Sequence, residues 1–151
     1  MTKCTALKNL PDEFGQSKVL RLRMLRLKSC SQLHKLPVGF SKLKHMLHLD
    51  LSGCTELEEL CENFSHLLSL TTLSLDGCEK LKKLPPNFHF LYSLQHLNLS
   101  NCEMLEGESM NSLVQTKALQ MVHIKNSGRL KEKWREMQEE RKQWSFTVDI
   151  G

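Results

Sequence analysis

Apolar residues recur along this chain with a period of 24 positions, and polar residues fill the intervals. The segments 30–53, 54–77 and 78–101 align without a gap. Counted from the cysteine that opens each segment, apolar residues occupy positions +3, +6, +10, +13, +16, +19 and +21 in all three. A fixed period of this length is typical of repeat proteins, in which each unit packs on its neighbours and no unit buries its apolar side chains alone.

Weaker copies of the pattern continue on both sides. Upstream, the stretch from Cys4 matches as far as Phe14 and then runs two residues longer, with apolar positions at Val19, Leu22, Leu25 and Leu27. Downstream, the spacing returns at Leu119, Val122, Ile124 and Ser127. We therefore predict a single domain over residues 1–151, with repeats at about 4–29, 30–53, 54–77, 78–101 and 102–127 and a C-terminal cap at 128–151.

The last apolar pair of each unit alternates with period 2, which predicts a short strand with one face buried. The other apolar residues turn the chain back, so that successive strands lie parallel. The predicted fold class is α/β, a right-handed solenoid of about five repeats with short parallel strands on its concave face. Burial of each repeated leucine contributes about 1.5–3 kcal/mol, so these columns hold most of the stability.

A cysteine follows each predicted strand, where the chain bends inward. A small apolar side chain with a weak donor suits that bend, facing a backbone carbonyl. The main interpretation is a structural column of thiols; the alternatives are a chain of disulfides and a metal site. The 24-residue spacing lacks the close cysteine pairs of zinc sites. Cys61 lies outside this column, and we expect it to be semi-buried. The column consists of Cys4, Cys30, Cys54, Cys78 and Cys102.

Charged residues also follow the repeat. At positions +4 and +5 the units read His34-Lys35, Glu58-Glu59 and Lys82-Lys83, and at +2 they read Gln32, Glu56 and Lys80. The sign alternates, so each unit is expected to meet opposite charges on the next. Such exposed pairs contribute about 0–1 kcal/mol each, and their main effect would be to disfavour slipped packing.

The C-terminal segment is expected to cap the stack with a helix and a strand. Apolar residues at helical spacing, Leu130, Trp134, Met137 and Trp144, predict one buried helix face. The alternation of Phe146, Val148 and Ile150 predicts a sixth, terminal strand. The helix could instead bind a partner or a membrane surface, although its charges are mixed rather than uniformly basic.

At the other end, the first unit begins three residues after the initial methionine, which leaves no room for a cap. We expect either an oligomer partner over this end or, preferably, a longer parent protein. The chain has no long apolar stretch and no secretory signal, so we expect a cytoplasmic protein with no membrane association. Its net charge is +4, divided as +7, −3 and 0 over residues 1–50, 51–100 and 101–151.

The pattern LxxLxLxxCxxLxxLPxxFxxLxxL resembles the leucine-rich repeats of plant intracellular NLR-type disease-resistance proteins over about residues 4–127. The "LP" is missing where Cys61 replaces the proline and again after Cys102. The resemblance implies a recognition and autoinhibition role in plant defense, with pathogen-derived or host proteins as partners and an attached nucleotide-binding module. This chain contains no phosphate-binding GxxxxGK[ST] motif. The alternative is a small intracellular adaptor or scaffold with no immune role.

Repeat proteins generally bind partners through the outward strand residues of the concave face. These positions vary between units while the core repeats, as expected for a surface that a partner specifies; solvated filler is the alternative. The predicted partner-binding residues are Met24, Arg26, Lys28, His48, Asp50, Ser52, Thr72, Ser74, Asp76, His96, Asn98, Ser100, Met121, His123 and Lys125.

Other chemistry is less well supported by this surface. A nucleophile needs a base within hydrogen-bond reach and a site that excludes water, whereas the histidines here lie on an open face. We expect no enzyme activity, no cofactor and no metal; a metal site bridging His96 and His123 is the weaker alternative. Arg21, Arg23, Arg26 and Lys28 could attract nucleic acid, but without interleaved aromatic residues we expect none to bind.

Overall fold

A computed structural model describes residues 4–16, 21–139 and 144–151 of the chain. Six short strands form one parallel sheet whose spatial order is the order of the sequence. The alternating apolar pair of each unit predicted these strands, and the solenoid is confirmed. The strands are β1 (Met24–Arg26), β2 (His48–Asp50), β3 (Thr72–Ser74), β4 (His96–Asn98), β5 (Met121–His123) and β6 (Thr147–Asp149).

The strands pair at equal positions of consecutive units. Leu49 aligns with Leu73, and Leu73 with Leu97, each 24 residues further along the chain. The middle residue of each of these strands is 1% exposed, whereas its two neighbours point away from the core. Since a one-residue slip would bring the polar neighbours inward, the repeat fixes the register.

The return segment of each unit from the second to the fifth is a short helix. Three units use 3-10 helices, at Val38–Lys42, Phe64–His66 and Phe88–Phe90, and the fifth uses a helix, α1 (Ser109–Leu113). The rings of Phe64 and Phe88 stack with centroids 6.5 Å apart and planes 3° from parallel. The phenylalanine at position +10 therefore aligns the helical side of the stack as the leucines align the strand side.

A turn with left-handed backbone follows each of the strands β1 to β5, and the next residue is a cysteine or, after β5, Ser127. Gly53 and Gly77 have φ of 73° and 70°, and asparagine takes the equivalent place at Asn101 and Asn126, with φ of 55° and 56°. These residue types tolerate positive φ. Ser29 occupies the same place in the first unit with φ of 61°, although serine is not favoured there.

The first unit is less buried than those after it. Leu7, Leu10, Phe14, Leu22 and Leu25 are half-buried, whereas the equivalent residues of the next units are buried. The predicted core position Val19 lies outside the described residues. The continuous buried core therefore begins at the second unit. The first unit packs against that core, and its own apolar side chains are only half-buried.

The C-terminal cap contains the expected helix and strand, with one correction. Helix α2 (Gly128–Glu139) buries Leu130, Trp134 and Met137. Trp144, predicted on the same helix face, lies outside the helix and in the segment before β6, where its ring packs 5.7 Å from that of Trp134. The helical spacing failed there because a tertiary contact, not helix periodicity, places this indole. No helix in the described part of the chain has the length and hydrophobicity needed to span a bilayer.

Candidate functional site

The outward strand residues form two columns across the sheet. The first runs through Met24, His48, Thr72, His96 and Met121, and the second through Arg26, Asp50, Ser74, Asn98 and His123. Neighbouring strands lie about 4.8 Å apart, so a side chain in one unit is within reach of its counterparts in the next. The sheet therefore brings together the residues that the sequence predicted for partner binding.

Exposure differs among the predicted residues. Met24, Arg26, Lys28, His48, His96 and Lys125 are exposed, and most of the others are half-buried. Ser100 is buried, with 7% of its surface exposed. The surface available to a partner therefore consists mainly of the side chains on β1, β2 and β4.

Several outward side chains are engaged by their own chain where the strands end. The Asp50 carboxylate accepts hydrogen bonds from the Ser52 backbone N–H, at 3.0 Å, and from the Ser52 hydroxyl. Asn98 accepts from the Ser100 N–H at 2.9 Å in the same way. Such Asx turns hold the chain as it leaves a strand. Asp50 and Asn98 are therefore structural in part, whatever else they contact.

Further along this edge, polar side chains are linked from unit to unit. Asn101 donates to the Asp76 carboxylate at 2.7 Å, and Asn126 donates to the Asn101 side-chain oxygen at 2.9 Å. His123 lies 2.8 Å from the Asp149 carboxylate. That hydrogen bond, followed by one from the Gly151 N–H, lowers the pKa of Asp149. These contacts link neighbouring units to one another at the C-terminal side of the strands.

The N-terminal ends of the strands are different. His48, Thr72 and His96 make no side-chain hydrogen bond to another residue within 4–16, 21–139 and 144–151. A shallow depression of about 280 Å³ extends from these strand starts along the whole length of β1, β2 and β3, and Met24, Arg26 and His48 are among the residues that line it. This half of the outward face is thus free to contact another molecule.

The cysteine column lies under the strands and is structural. The thiols of Cys54, Cys78 and Cys102 donate to the carbonyl oxygens of Leu27, Leu51 and Leu75 at 3.3, 3.4 and 3.1 Å. All six cysteines lie within the described residues and all are free thiols. The predicted contact of each thiol with a backbone carbonyl is therefore confirmed for these three units.

Burial makes these thiols poor nucleophiles. It is the largest cause of the raised pKa values of Cys54 and Cys102, which are about 12, and of Cys61, which is about 11. The pKa of Cys30 is also about 11, again mainly through burial and then through the neighbouring Cys4. Cys4 differs from the prediction because it is exposed: no preceding unit within the described residues covers it.

The opposite edge of the stack carries the predicted alternation of charge. Lys80 and Lys82 reach Glu56 and Glu58 of the preceding unit at 2.7 and 2.8 Å. His34 lies 3.9 Å from Glu56 rather than beside Glu58. The hydrogen bond from Lys82 is the largest cause of the lowered pKa of Glu58. Cations and carboxylates on this edge therefore compensate one another across units.

A groove of about 440 Å³ beside these pairs was absent from the predicted site. Pro37, Val38, Pro85 and Pro86 line it together with Lys35, Glu59 and Lys83. The sequence offered a signal in the recurring "LP", which we used only to identify the type of repeat. In the described segments, no group of three metal-ligating side chains lies close enough together to hold an ion, and His96 is paired in register with Met121 rather than with His123.

One comparison with known proteins, the match to a family profile, agrees with this architecture. A family profile described as Leucine Rich Repeat matches residues 69–91 and 93–115. No curated protein is significantly similar in sequence to the chain. A leucine-rich-repeat protein of Leptospira interrogans with a solved structure is 19% identical, over 95% of this chain and 52% of that one, with a TM-score of 0.30. The chain thus spans about half the length of that protein.

The fold is a leucine-rich-repeat solenoid, on the evidence of the matched repeats and the six parallel strands in register. Leucine-rich repeats form interaction domains rather than catalytic ones, and they generally bind protein partners through the surface of the stack. The outward face and the two edges described above are the surfaces on which such a partner could bind.

Proposed function

We propose that this domain recognises a protein partner through the outward face of its sheet, centred on β1 and β2 and extending to β4. The observation that carries the proposal is the contrast within the face. Asp50, Asp76 and Asn98, at or just after strand ends, are held by hydrogen bonds to their own chain, whereas Arg26, His48 and His96 are exposed and free of such bonds within the described segments. Because the sheet that carries them is rigid, binding of a partner orders these side chains but need not order the backbone.

The partner itself is proposed to be a pathogen-derived or host protein, met in a reducing compartment such as the cytoplasm. Free cysteines in a reducing compartment persist as thiols, and six occur here. The finer proposal is a ligand-sensing and autoinhibitory region of a plant NLR-like disease-resistance protein, and it rests on the Cys and "LP" repeat pattern. A transcript in which these residues follow a nucleotide-binding module would support it; a transcript encoding these repeats alone would support an adaptor.

The recognition proposal is tested by comparing the proteins captured by the wild-type domain and by two triple variants. The first is Arg26→Ala/His48→Ala/His96→Ala, which removes exposed side chains without breaking an internal hydrogen bond. The matched control, Glu59→Ala/Glu62→Ala/Lys83→Ala, removes three exposed residues from the groove edge. We expect the face variant to capture at least tenfold less of a protein that the wild-type domain captures specifically. The control should capture as much of it as the wild type. Equal recovery by both variants would contradict the proposal.

Variants at Asp50 and Asn98 are less informative for this purpose. Both side chains hold Asx turns, so alanine would loosen the strand ends as well as remove a contact. Arg26, Asp50 and Asn98 together remain a useful second set, provided that the thermal stability of the variant is measured beside its binding. A loss of capture that accompanies a loss of stability would not count as a loss of recognition.

A further inference from the structure

Acidic residues are unevenly distributed around the stack. The second to fifth repeats, residues 30–127, contain ten Asp and Glu, and none of them lies between the start of a short helix and the start of the next strand. We call this side the carboxylate-free edge and define it as residues 21–24, 38–48, 64–72, 88–96 and 109–121. The same edge bears five permanent cations and five histidines. They are Arg21, Arg23, Lys42, Lys44 and Lys117, with His45, His48, His66, His89 and His96.

Backbone hydrogen bonds keep this edge in register from unit to unit. The N–H groups of Leu47 and His48 donate to Arg23 O, at 2.7 and 3.0 Å, and those of Thr71 and Thr72 donate to Leu47 O. The pattern repeats at Gln95. Equivalent side chains are therefore held side by side, about 4.8 Å apart at the strand starts and 6.5 Å apart at the rings of Phe64 and Phe88 on the helical side. The carboxylate-free edge is one continuous surface rather than a set of separate turns.

The cations of this edge are not compensated by their own chain. Lys42 and Lys44 are exposed and form no ion pair with a carboxylate in the part of the chain that the structure describes. Lys80 and Lys82, on the opposite edge, are exposed as well but pair with glutamates at 2.7 and 2.8 Å. Uncompensated like charges repel one another, and this repulsion is relieved when an anionic partner binds.

An apolar patch lies in the middle of the carboxylate-free edge. Leu68, Phe90 and Tyr92 are 47%, 41% and 63% exposed, and the rings of Phe90 and Tyr92 are 5.8 Å apart. Leu68 and Tyr92 hold the same position of adjacent units. Exposed aromatic side chains next to cations are typical of binding hot spots. The edge thus offers apolar contact flanked by positive charge.

We propose that the carboxylate-free edge binds an acidic segment of a protein partner, with an apolar or aromatic side chain of that segment packed on Leu68, Phe90 and Tyr92. The inference rests on the proposed role in protein recognition and supplies the chemistry of the partner. The edge meets the outward face at His48 and His96, so a single partner can cover both. A nucleic acid fits less well, because stacked bases need a run of aromatic platforms and the aromatic side chains here are confined to one unit.

Fluorescence anisotropy with defined probes tests the charge. The probe is a short fluorescein-labelled peptide with four glutamates on each side of a central Phe-Leu pair; in a second peptide glutamine replaces every glutamate. We expect binding of the first peptide at low salt and at least tenfold weaker binding of the second. Lys42→Gln/Lys44→Gln should weaken binding of the acidic peptide about five- to tenfold. The matched variant Lys80→Gln/Lys82→Gln, with the same change in net charge, should alter it less than twofold.

The apolar patch is tested by a third peptide, in which Gly-Ser replaces the Phe-Leu pair. Tyr92→Ala should weaken binding of the Phe-Leu peptide about fivefold or more and leave the weaker binding of the Gly-Ser peptide within twofold. An equal loss for both peptides would overturn the role of the patch, because it would show that Tyr92→Ala acts on the fold rather than on an anchor.

Three results would overturn the proposal as a whole. They are no detectable binding of the acidic peptide by the wild-type domain, equal effects of the two lysine variants, and tighter binding of a labelled oligothymidine than of the acidic peptide. The last result would assign the edge to nucleic acid. These outcomes do not depend on the capture experiment with the Arg26/His48/His96 variant, so each of the two proposals can fail without the other.

Discussion

The hydroxyl of Ser127 donates a hydrogen bond of 2.6 Å to the carbonyl oxygen of Leu99, in the place where three earlier units use a cysteine thiol. The same hydroxyl accepts a hydrogen bond of 3.1 Å from the backbone N–H of Cys102. Ser127 is completely buried. One side chain thus satisfies two backbone groups that water cannot reach, where the last repeat meets helix α2.

Replacement of Ser127 tests whether this column is structural. Ser127→Ala leaves the Leu99 carbonyl and the Cys102 N–H without these partners, and an unsatisfied buried polar group costs about 1–3 kcal/mol. We expect the free energy of unfolding, measured in urea, to fall by about that amount. Ser127→Cys restores the residue type of the other units and should cost less than half as much. If the two variants were equally stable, the hydrogen bonds of the column would not contribute to stability.

Repetition determined which parts of the fold could be predicted from the sequence. Leu49, Leu73 and Leu97 recur at one position of three gapless copies, so the spacing of the copies alone predicts their register. The cap occurs once. Trp144 packs on Trp134 from outside the helix, but its spacing in the sequence is that of a residue of the helix. A single copy offers no second alignment to correct a spacing that fits by chance.

The outward placement of the strand residues was predictable from the sequence, but their contacts were not. Strand alternation showed that Asp50 and Asn98 face outward, yet both turn back to their own chain because their side chains reach the N–H two residues on. The apolar patch was missed for a simpler reason. In the third full repeat Phe88 is buried at position +10 while Phe90 and Tyr92, at +12 and +14, are exposed. Aligning the polar columns beyond +5 would have revealed the carboxylate-free edge.

The left-handed turn before each cysteine predicts an order of stability at Gly77. Its φ is 70°, and an added Cβ would meet only the backbone of Gly53, at an ordinary 3.7 Å. The cost of Gly77→Ala is therefore conformational, about 1–2 kcal/mol. Gly77→Asn should cost less, because asparagine adopts this conformation at Asn101 and Asn126. Urea unfolding should rank glycine above asparagine and asparagine above alanine.

Ser29 provides the reciprocal test, since it holds the same position with φ of 61°. Ser29→Gly relieves the left-handed conformation but gives the unfolded chain more freedom, so we expect a gain in unfolding free energy of less than about 1 kcal/mol. A clear loss of stability in Ser29→Gly would show that the serine side chain, rather than the backbone conformation, determines the residue at this position.

The buried thiols predict a loss of stability at alkaline pH. Burial raises the pKa of Cys54 and of Cys102 to about 12, whereas a thiol in the unfolded chain titrates near 8.5. The contribution of these protonated thiols to the stability of the folded state is complete below pH 8.5. It declines as the pH rises towards 12, because in this range only the unfolded state releases the thiol protons. Between pH 8 and pH 10 each such thiol should lower the free energy of unfolding by about 1–2 kcal/mol.

The variant Cys54→Ser/Cys78→Ser/Cys102→Ser isolates this effect. Its hydroxyls can donate to the same carbonyls but do not ionise in this range, and the variant differs from the wild type at no other position. Under reducing conditions, we expect the free energy of unfolding to fall more steeply from pH 8 to pH 10 in the wild type than in the variant. Parallel pH profiles would mean that the thiols do not govern the alkaline loss of stability.

Trp134 predicts how strongly the cap contributes to the stack. Its ring is 6% exposed and packs on Trp144 and Phe146, with centroids 5.7 and 6.1 Å away. Trp134→Ala should lower the free energy of unfolding by about 3–5 kcal/mol, and Arg135→Ala, an exposed change on the same helix, by less than about 0.5 kcal/mol.

In a stack stabilised between neighbouring units, this loss should spread beyond the cap. Circular dichroism of the repeats and fluorescence of Trp144 should then report the same urea midpoint. Two separated transitions, with the repeats unaffected by Trp134→Ala, would show that the stack is stable without its cap.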